Sequence, residues 1–295
     1  MKIFFITLGV GLTAVAAVLV LVSYGPESVR RAGQTTISEA PHVEYSALQE
    51  EDLIYSSEAG PVSSMPITAT AYVIKDVKTG TISADHNADK LLPIASLTKL
   101  VTAAVANTLI ARDTRITITP DIVRMFGNAS EFKVGETLLS QDLLYPLLMD
   151  SSNEAAEAYA RYYGRARFIV AMNQFTQTIG AYRTHFDDPS GLSAHNVSTA
   201  NDVALILDWL RLHDPAIFSI TLLKSKTVRT HTWTNPAHFL NWSNYLGGKN
   251  GYTTEADRTA AAVFRLGGSQ DPYAVVVLGS SERDGDVIKL LRMVK

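Results

Sequence analysis

A serine and a lysine three positions apart, Ser96 and Lys99, stand where a loop turns into an apolar stretch with helical periodicity. Positions three apart lie on one face of a helix, so the Lys99 amine can reach the Ser96 oxygen. A serine hydroxyl is a weak nucleophile and needs a nearby base to take its proton. The start of a helix also presents free backbone N–H groups to any group bonded at Ser96. The pair indicates nucleophilic catalysis, and the alternative is two polar residues on an ordinary helix.

A serine–serine–asparagine triplet, Ser151 to Asn153, opens a second predicted helix. Ser151 and Glu154 have the spacing of a capping box, in which the serine side chain caps the first turn of the helix. A cap of this kind uses a backbone turn that can still direct side chains into a cleft. The triplet therefore has two interpretations, as a helix cap alone and as part of a catalytic site.

A glycine-rich segment, Gly247 to Thr253, carries Lys249 and precedes a predicted strand at 259–264. Glycine lets a backbone approach a ligand closely, so this segment can line a binding site. The alternative is a plain glycine turn with a solvated lysine.

In this order and at these separations, the three motifs resemble the motif set of the penicillin-binding protein and serine β-lactamase superfamily. The chain is most similar to low-molecular-mass penicillin-binding proteins of the D-alanyl-D-alanine carboxypeptidase type. The resemblance extends from about residue 66 to the C-terminus, and within it Asp187, Asp188 and Pro189 are predicted to be turn residues. It places the third motif at Lys249–Gly251. The segment Lys78–Gly80 spells that motif literally, but it joins two strand-like segments and is predicted to be a hairpin turn.

The resemblance assigns roles to eight residues. Those with catalytic roles are Ser96 as the nucleophile, Lys99 as the base, Ser151 as a proton relay to the leaving amine and Asn153 as the group that fixes Lys99 or the substrate amide. Those that bind substrate are Lys249, Asn250, Gly251 and Tyr252. Lys249 and Asn250 are expected to face the substrate carboxylate, and the backbone N–H groups of Ser96 and Tyr252 to form the oxyanion hole.

Two of these roles depend on the surroundings of the residue. A lysine with an ordinary pKa is charged at pH 7, so burial and the Lys249 cation must lower the pKa of Lys99 if it is to act as a base. Asn250 stands where the family has threonine or serine, whose hydroxyl helps to hold the terminal carboxylate of the substrate. The Asn250 amide can share that task with a different geometry.

The resemblance implies a serine-type D-Ala-D-Ala carboxypeptidase that acts on peptidoglycan stem peptides through an acyl-enzyme on Ser96. β-Lactams are then expected to be covalent inhibitors. The alternatives are a D,D-endopeptidase that cleaves cross-links, a penicillin-binding but non-catalytic scaffold of the cell wall, and a β-lactamase. A β-lactamase is disfavoured because no glutamate matches its deacylating base and the second motif lacks the aspartate of class A enzymes.

The composition excludes several other functions. The 295 residues carry a net charge of −3 and 19% charged residues, so no basic surface indicates nucleic-acid binding. The chain has no cysteine, which excludes disulfides, thiolate metal ligands and a cysteine nucleophile. Its 7 histidines are scattered without a metal-binding pattern, so we expect no metal and no cofactor.

The N-terminal residues are apolar enough to form a membrane helix. Residues 3–22 contain no charge and no proline, and this length spans the hydrocarbon core of a bilayer. The segment ends in Leu21–Pro26, which is a poor signal-peptidase site, so residues 1–24 are predicted to be an uncleaved signal anchor in preference to a cleaved signal peptide. Residues 25–65 are acidic and poor in large apolar clusters, which is typical of a stalk or linker. We therefore expect a single-pass protein of the cell membrane with a catalytic domain, residues 66–295, on the extracytoplasmic side.

From residue 66 the pattern predicts an α/β (α+β) domain. Strand-like segments at 69–75 and 80–85 precede a long helical region between about 96 and 212. Two strongly apolar strand-like segments follow at 259–266 and 273–280, and a helix begins at about 284. This order predicts one sheet assembled from both chain ends plus a helical subdomain. The resemblance implies the antiparallel β-lactamase/transpeptidase-like fold, with the active site between the two parts.

Overall fold

The computed structural model describes residues 66–127, 130–266 and 271–294. The predicted signal anchor (1–24) and stalk (25–65) lie outside the described residues. Within the described ranges, no helix combines the length and the apolar character needed to cross a membrane.

The described part of the chain contains eleven strands and eight helices. The strands are β1 (Ala71–Asp76), β2 (Ile82–His86), β3 (Leu92–Pro93), β4 (Arg115–Thr117), β5 (Thr137–Leu139), β6 (Val197–Ser198), β7 (Ser225–Val228), β8 (His231–Thr234), β9 (Tyr245–Thr253), β10 (Asp257–Arg265) and β11 (Pro272–Ser280). The helices are α1 (Thr98–Leu109), α2 (Pro120–Val123), α3 (Ser140–Leu148), α4 (Asn153–Tyr163), α5 (Arg165–Thr178), α6 (Ala200–His213), α7 (Pro215–Thr221) and α8 (Arg283–Met293).

The main sheet has five antiparallel strands in the order β2-β1-β11-β10-β9. The first strand of the domain pairs directly with the last, in a register that places Ala71 opposite Leu278. The strands therefore come from both chain ends, with the helices between them in sequence, as predicted. The predicted α/β (α+β) class is confirmed for the described residues.

Both faces of the sheet are covered, which explains why its central strands are apolar without alternation. On one face, Val275 and Val277 of β11 share a core with Val287 and Leu290 of α8. On the other face, Val276 joins the larger core formed with the helical part of the molecule.

Helix α1 lies at the centre of the helical part, where it packs against α3, α4 and α5. Nine consecutive residues from Thr98 to Ala106 are buried, so this part of α1 is enclosed on all sides, as expected of a core helix. Its first turn places Lys99 inside this core. The predicted helical region also contains three short strands, β4, β5 and β6, which the apolar pattern did not distinguish.

The literal Lys78–Gly80 motif forms the turn between β1 and β2, as predicted. The Asp76 Oδ1 accepts hydrogen bonds from the backbone N–H groups of Lys78 and Thr79, both at 2.8 Å. Gly80 has a φ of +73°, which glycine adopts without strain.

Candidate active site

The predicted nucleophile lies on a single 3-10 turn, Ala95–Leu97, that leads directly into α1. Ala95 and Leu97 are buried, whereas Ser96 between them reaches the wall of a cleft. Ala95 has a left-handed φ of +48°, a conformation that costs an alanine about 1–2 kcal/mol. Strain of this kind is retained only where surrounding contacts enforce it, and it is concentrated at functional sites.

Lys99 lies behind Ser96 with its side chain fully buried. Its Nζ is 2.9 Å from the Ser96 Oγ, 2.9 Å from the Asn153 Oδ1 and 2.7 Å from the Ser190 carbonyl oxygen. A neutral amine can donate its two protons to the Asn153 and Ser190 oxygens and direct its lone pair to the Ser96 hydroxyl. This is the geometry of a general base beside a nucleophile.

The surroundings of Lys99 favour that neutral amine. Burial lowers the pKa of Lys99 well below its ordinary value, and the Lys249 cation lowers it further. The carboxylates of Asp188 and Glu154 oppose this effect. Two causes for a lowered pKa of Lys99 were expected from the sequence, burial and the Lys249 cation. Both are present in the structure.

The second motif is organised differently from the predicted capping box. Helix α4 begins at Asn153, and its cap is Ser152, whose Oγ accepts from the Ala155 N–H at 2.9 Å and donates to Glu154 at 2.9 Å. The predicted cap by Ser151 is wrong because Ser151 has a left-handed φ of +60°, whereas Ser152 has the extended ψ of 122° that a capping residue needs. Ser151 is consequently free of the helix end and lines the cleft.

Asn153 is held from two sides. Its Oδ1 accepts from Lys99, and its Nδ2 donates to the Phe126 carbonyl oxygen at 2.7 Å. The amide is thereby fixed in the orientation that presents an oxygen to the lysine. This contact supports the first of the two roles considered for Asn153, fixing Lys99.

The third motif lies in a strand and not in a glycine turn. Lys249, Asn250 and Gly251 belong to β9, the edge strand of the main sheet, and Lys249 is only 6% exposed. Its Nζ donates to the Asn250 carbonyl oxygen at 2.7 Å. Burial, followed by the Arg283 cation, lowers the pKa of Lys249 to about 7, against the opposing charge of Asp150.

Gly251 is the point where β9 meets the nucleophile. A Cβ atom at this position would lie 2.8 Å from the Ser96 backbone N and 2.6 Å from the Thr259 Oγ1. Thr259 is itself buried, and its hydroxyl donates to the Ile94 carbonyl oxygen at 3.2 Å. A side chain at Gly251 would therefore push the strand away from the Ser96 turn.

All eight predicted residues are brought together around one cleft of about 320 Å³. Six of them line it: Ser96, Ser151, Lys249, Asn250, Gly251 and Tyr252. Lys99 and Asn153 lie directly behind Ser96. In the described residues, no group of three or more His, Cys, Asp or Glu side chains is arranged to hold a metal ion.

Two groups at the site were not predicted from the sequence. Arg283, at the start of α8, also lines the cleft, and its guanidinium lies 5.8 Å from the centre of the Phe239 ring. It adds a second cation beside Lys249, but no spacing relates it to the three motifs. Ser190 contributes a backbone carbonyl, for which the side chain gives no signal.

We expect Gly251→Ala to reduce acylation of Ser96 by fluorescent penicillin by about 10²-fold, because displacements of about 1 Å at a reacting centre have effects of that size. Labelling time courses would measure the rate. Gly285→Ala, in helix α8, is the control, since its φ is not left-handed and a Cβ there meets nothing nearer than the Glu282 Cβ at 4.0 Å. Equal labelling rates for the two variants would contradict the close approach of β9 to the nucleophile.

The sequence matches the Peptidase S11 family, described as D-alanyl-D-alanine carboxypeptidase, over residues 58–282. A D-alanyl-D-alanine endopeptidase of Pseudomonas aeruginosa is 32% identical over 234 residues, which cover 75% of this chain and 74% of that protein. A D-alanyl-D-alanine endopeptidase of Escherichia coli is 31% identical over 245 residues, covering 76% of each. The solved structure of a D-alanyl-D-alanine carboxypeptidase from Mycobacterium tuberculosis is similar with a TM-score of 0.71 and 25% identity, over 80% of this chain and 94% of that one.

Proposed function

The chain belongs to the D-alanyl-D-alanine carboxypeptidase family, and from this membership we propose that it is a serine-type D,D-peptidase that removes the terminal D-alanine from peptidoglycan stem peptides. The observation that carries the proposal is the 2.9 Å contact between the buried Lys99 amine and the Ser96 hydroxyl. It supplies an activated nucleophile at the wall of a cleft that Lys249 and Arg283 also line. Cations in that position suit a substrate that ends in a carboxylate.

The proposed reaction proceeds in two steps. The Ser96 Oγ attacks the carbonyl carbon of the penultimate D-alanine while its proton passes to the Lys99 Nζ. The negative charge on the carbonyl oxygen is stabilised by the backbone N–H groups of Ser96 and Tyr252. Ser151 relays a proton to the leaving amine as the C–N bond breaks, which releases D-alanine and leaves an acyl-enzyme. Water then hydrolyses the ester at Ser96 and restores the free hydroxyl.

A second candidate is cleavage of cross-links by the same chemistry. It is favoured by the P. aeruginosa and E. coli relatives, whose names describe D-alanyl-D-alanine endopeptidases. The leaving group is then the side-chain amine of a neighbouring stem peptide and not free D-alanine. The two activities differ in the space and charge beyond the scissile bond.

Defined muropeptides distinguish the candidates. The protein is incubated with a monomeric pentapeptide and with a cross-linked dimer, and the products are identified by mass spectrometry. We expect release of free D-alanine from the pentapeptide. Conversion of dimer to monomer without release of D-alanine would assign the endopeptidase activity. Turnover of neither substrate by a protein that still binds penicillin would favour the scaffold alternative. The Ser96→Ala variant is the negative control for both reactions.

We expect Asn250→Thr to leave acylation by fluorescent penicillin unchanged or to raise it. The substitution restores the hydroxyl that the family uses near the substrate carboxylate, and Asn250 is part of the cleft wall. The acylation rate and the turnover of D-Ala-D-Ala peptides would be measured together. A variant slower by an order of magnitude on those peptides would show that Asn250 is adapted to a different substrate.

The proposal includes attachment to the membrane by residues 1–24, with the catalytic domain outside the cytoplasm. Its support is the uncharged apolar sequence of residues 3–22 and the extracytoplasmic position of the proposed substrate. We expect the mature protein to keep these residues and to remain in the membrane after high-salt or carbonate washing. A processed N-terminus near Gly25, found by mass spectrometry, would instead make the protein a secreted or periplasmic enzyme.

A further inference from the structure

Asp188 is a buried carboxylate with four short hydrogen bonds inside its own loop. Its Oδ1 accepts from the Ser190 N–H at 2.6 Å, from the Ser190 hydroxyl at 2.7 Å and from the Gly191 N–H at 2.7 Å. Its Oδ2 accepts from the Ser193 N–H at 2.6 Å. Burial would raise the pKa of Asp188, but these hydrogen bonds outweigh it and leave the pKa below its ordinary value. The side chain is therefore ionised at neutral pH.

The loop that Asp188 organises lies against the nucleophile and its base. The Ser190 carbonyl accepts from the Lys99 Nζ at 2.7 Å. Gly191 has a φ of +88°, and a Cβ there would overlap the Ala95 carbonyl oxygen, so the loop packs directly on the Ser96 turn. The direction of the Ser190 carbonyl thus depends on the bonds that Asp188 makes to residues 190 and 191.

A second connection joins this loop to α1. The Asn196 Nδ2 donates to the Asp188 carbonyl oxygen at 2.8 Å and to the Thr98 Oγ1 at 3.1 Å. The Asn196 Oδ1 accepts from the Asp188 N–H at 3.2 Å. Both the side chain and the backbone of Asp188 are therefore fixed relative to Lys99, which follows Thr98.

Three charged groups act on the Lys99 amine from the elements around it. Lys249 on β9 disfavours its protonation, whereas Asp188 in the loop and Glu154 on α4 favour it. Asp188 has the larger effect of the two carboxylates. It is also the one that accepts hydrogen bonds from Ser190, whose carbonyl oxygen accepts a hydrogen bond from Lys99.

We propose that Asp188 is a positioning residue of the acylation step: its carboxylate fixes the Ser190 carbonyl on the Lys99 amine and supplies a negative charge that opposes the effect of the Lys249 cation on that amine. The inference rests on the proposed function. It adds to that function a residue that touches neither the substrate nor the reacting atoms. Asp188 lies in the turn that the sequence predicted, and this turn holds the Ser190 carbonyl oxygen against the Lys99 amine.

The test is the pH dependence of acylation by fluorescent penicillin in Asp188→Asn. Loss of the charge favours the neutral amine, so the acid-side midpoint of the rate is expected to move to lower pH by about 1 unit. Loss of the Oδ2 acceptor loosens the loop, and the maximal rate is expected to fall about 10-fold. Asp187→Asn is the matched control, because that side chain is 44% exposed and bonds to His185 and His195. Its profile is expected to match the wild type.

A lower rate with an unchanged midpoint would show a structural role alone and would overturn the proposal. Asp188→Ser, which also lacks the charge but avoids an amide facing the Ser193 N–H, is measured in parallel, with circular dichroism as the check on folding. Lys249, whose pKa is about 7, titrates in every variant, so the difference between profiles reports on position 188. A wild-type protein that penicillin does not label would instead refute the proposed function.

Discussion

Replacing Ser96 with alanine is expected to abolish covalent labelling by fluorescent penicillin. Ser96 is the hydroxyl that the buried Lys99 amine contacts, so the substitution removes the group that would form the acyl bond. Loss of the nucleophile in a serine peptidase reduces the rate by about 10⁶-fold. Gel fluorescence of purified protein measures the effect directly.

The variant should remain folded, because removing one hydroxyl from the cleft wall leaves the buried neighbours Ala95 and Leu97 in place. Ser219→Ala, on the exposed surface of α7, is the control and should label like the wild type. Persistent labelling of Ser96→Ala at the wild-type rate would remove Ser96 from the mechanism.

Replacing Lys99 with methionine is expected to reduce acylation by about 10²–10⁴-fold, which is the usual contribution of a general base. Methionine has a similar length but no proton acceptor, and it leaves the Asn153 and Ser190 oxygens without their donor. An unsatisfied buried acceptor, here the Ser190 oxygen, costs about 1–3 kcal/mol of stability, so the melting temperature should fall as well.

The two effects of Lys99→Met are separable. Acylation is measured well below the melting temperature of the variant, where circular dichroism confirms a native fold. Lys90→Met, at an exposed lysine before the Ser96 turn, controls for the same substitution outside the site. Wild-type acylation by a folded Lys99→Met protein would show that another group takes the proton from Ser96.

The parts of the fold that could be predicted are those with a strong local pattern. The apolar segments at 259–266 and 273–280 correspond to β10 (Asp257–Arg265) and β11 (Pro272–Ser280), and the helix expected from 284 begins at Arg283. The contact between Ser96 and Lys99 was also predictable, because spacing of three residues fixes the distance on a helix. Local periodicity was sufficient for each of these features.

The local pattern was insufficient where tertiary contacts determine the structure. The glycine-rich segment around Lys249 was compatible with a plain turn as well as with a binding segment, and it is strand β9, held by pairing with β10 and by the close approach of Gly251 to Ser96. The cap of α4 is shifted by one residue because Ser151 is left-handed. Neither fact is encoded in a few neighbouring residues.

The remaining parts of the site have no sequence signature of their own. The Ser190 carbonyl is a backbone group, and its direction depends on the hydrogen bonds of Asp188. Arg283 reaches the cleft because α8 packs against the main sheet, 34 positions beyond Lys249. The positions of both groups become apparent only in the three-dimensional structure.

The most direct measurement of the central claim is the site of the penicillin adduct. Trypsin releases Leu91–Lys99, which contains Ser96, and Val134–Arg161, which contains Ser151. Mass spectrometry of labelled protein is expected to find the added mass of the penicillin on Leu91–Lys99, with fragment ions that place it between Ala95 and Leu97. An adduct on Val134–Arg161, or no adduct on any peptide, would contradict the assignment of Ser96 as the nucleophile.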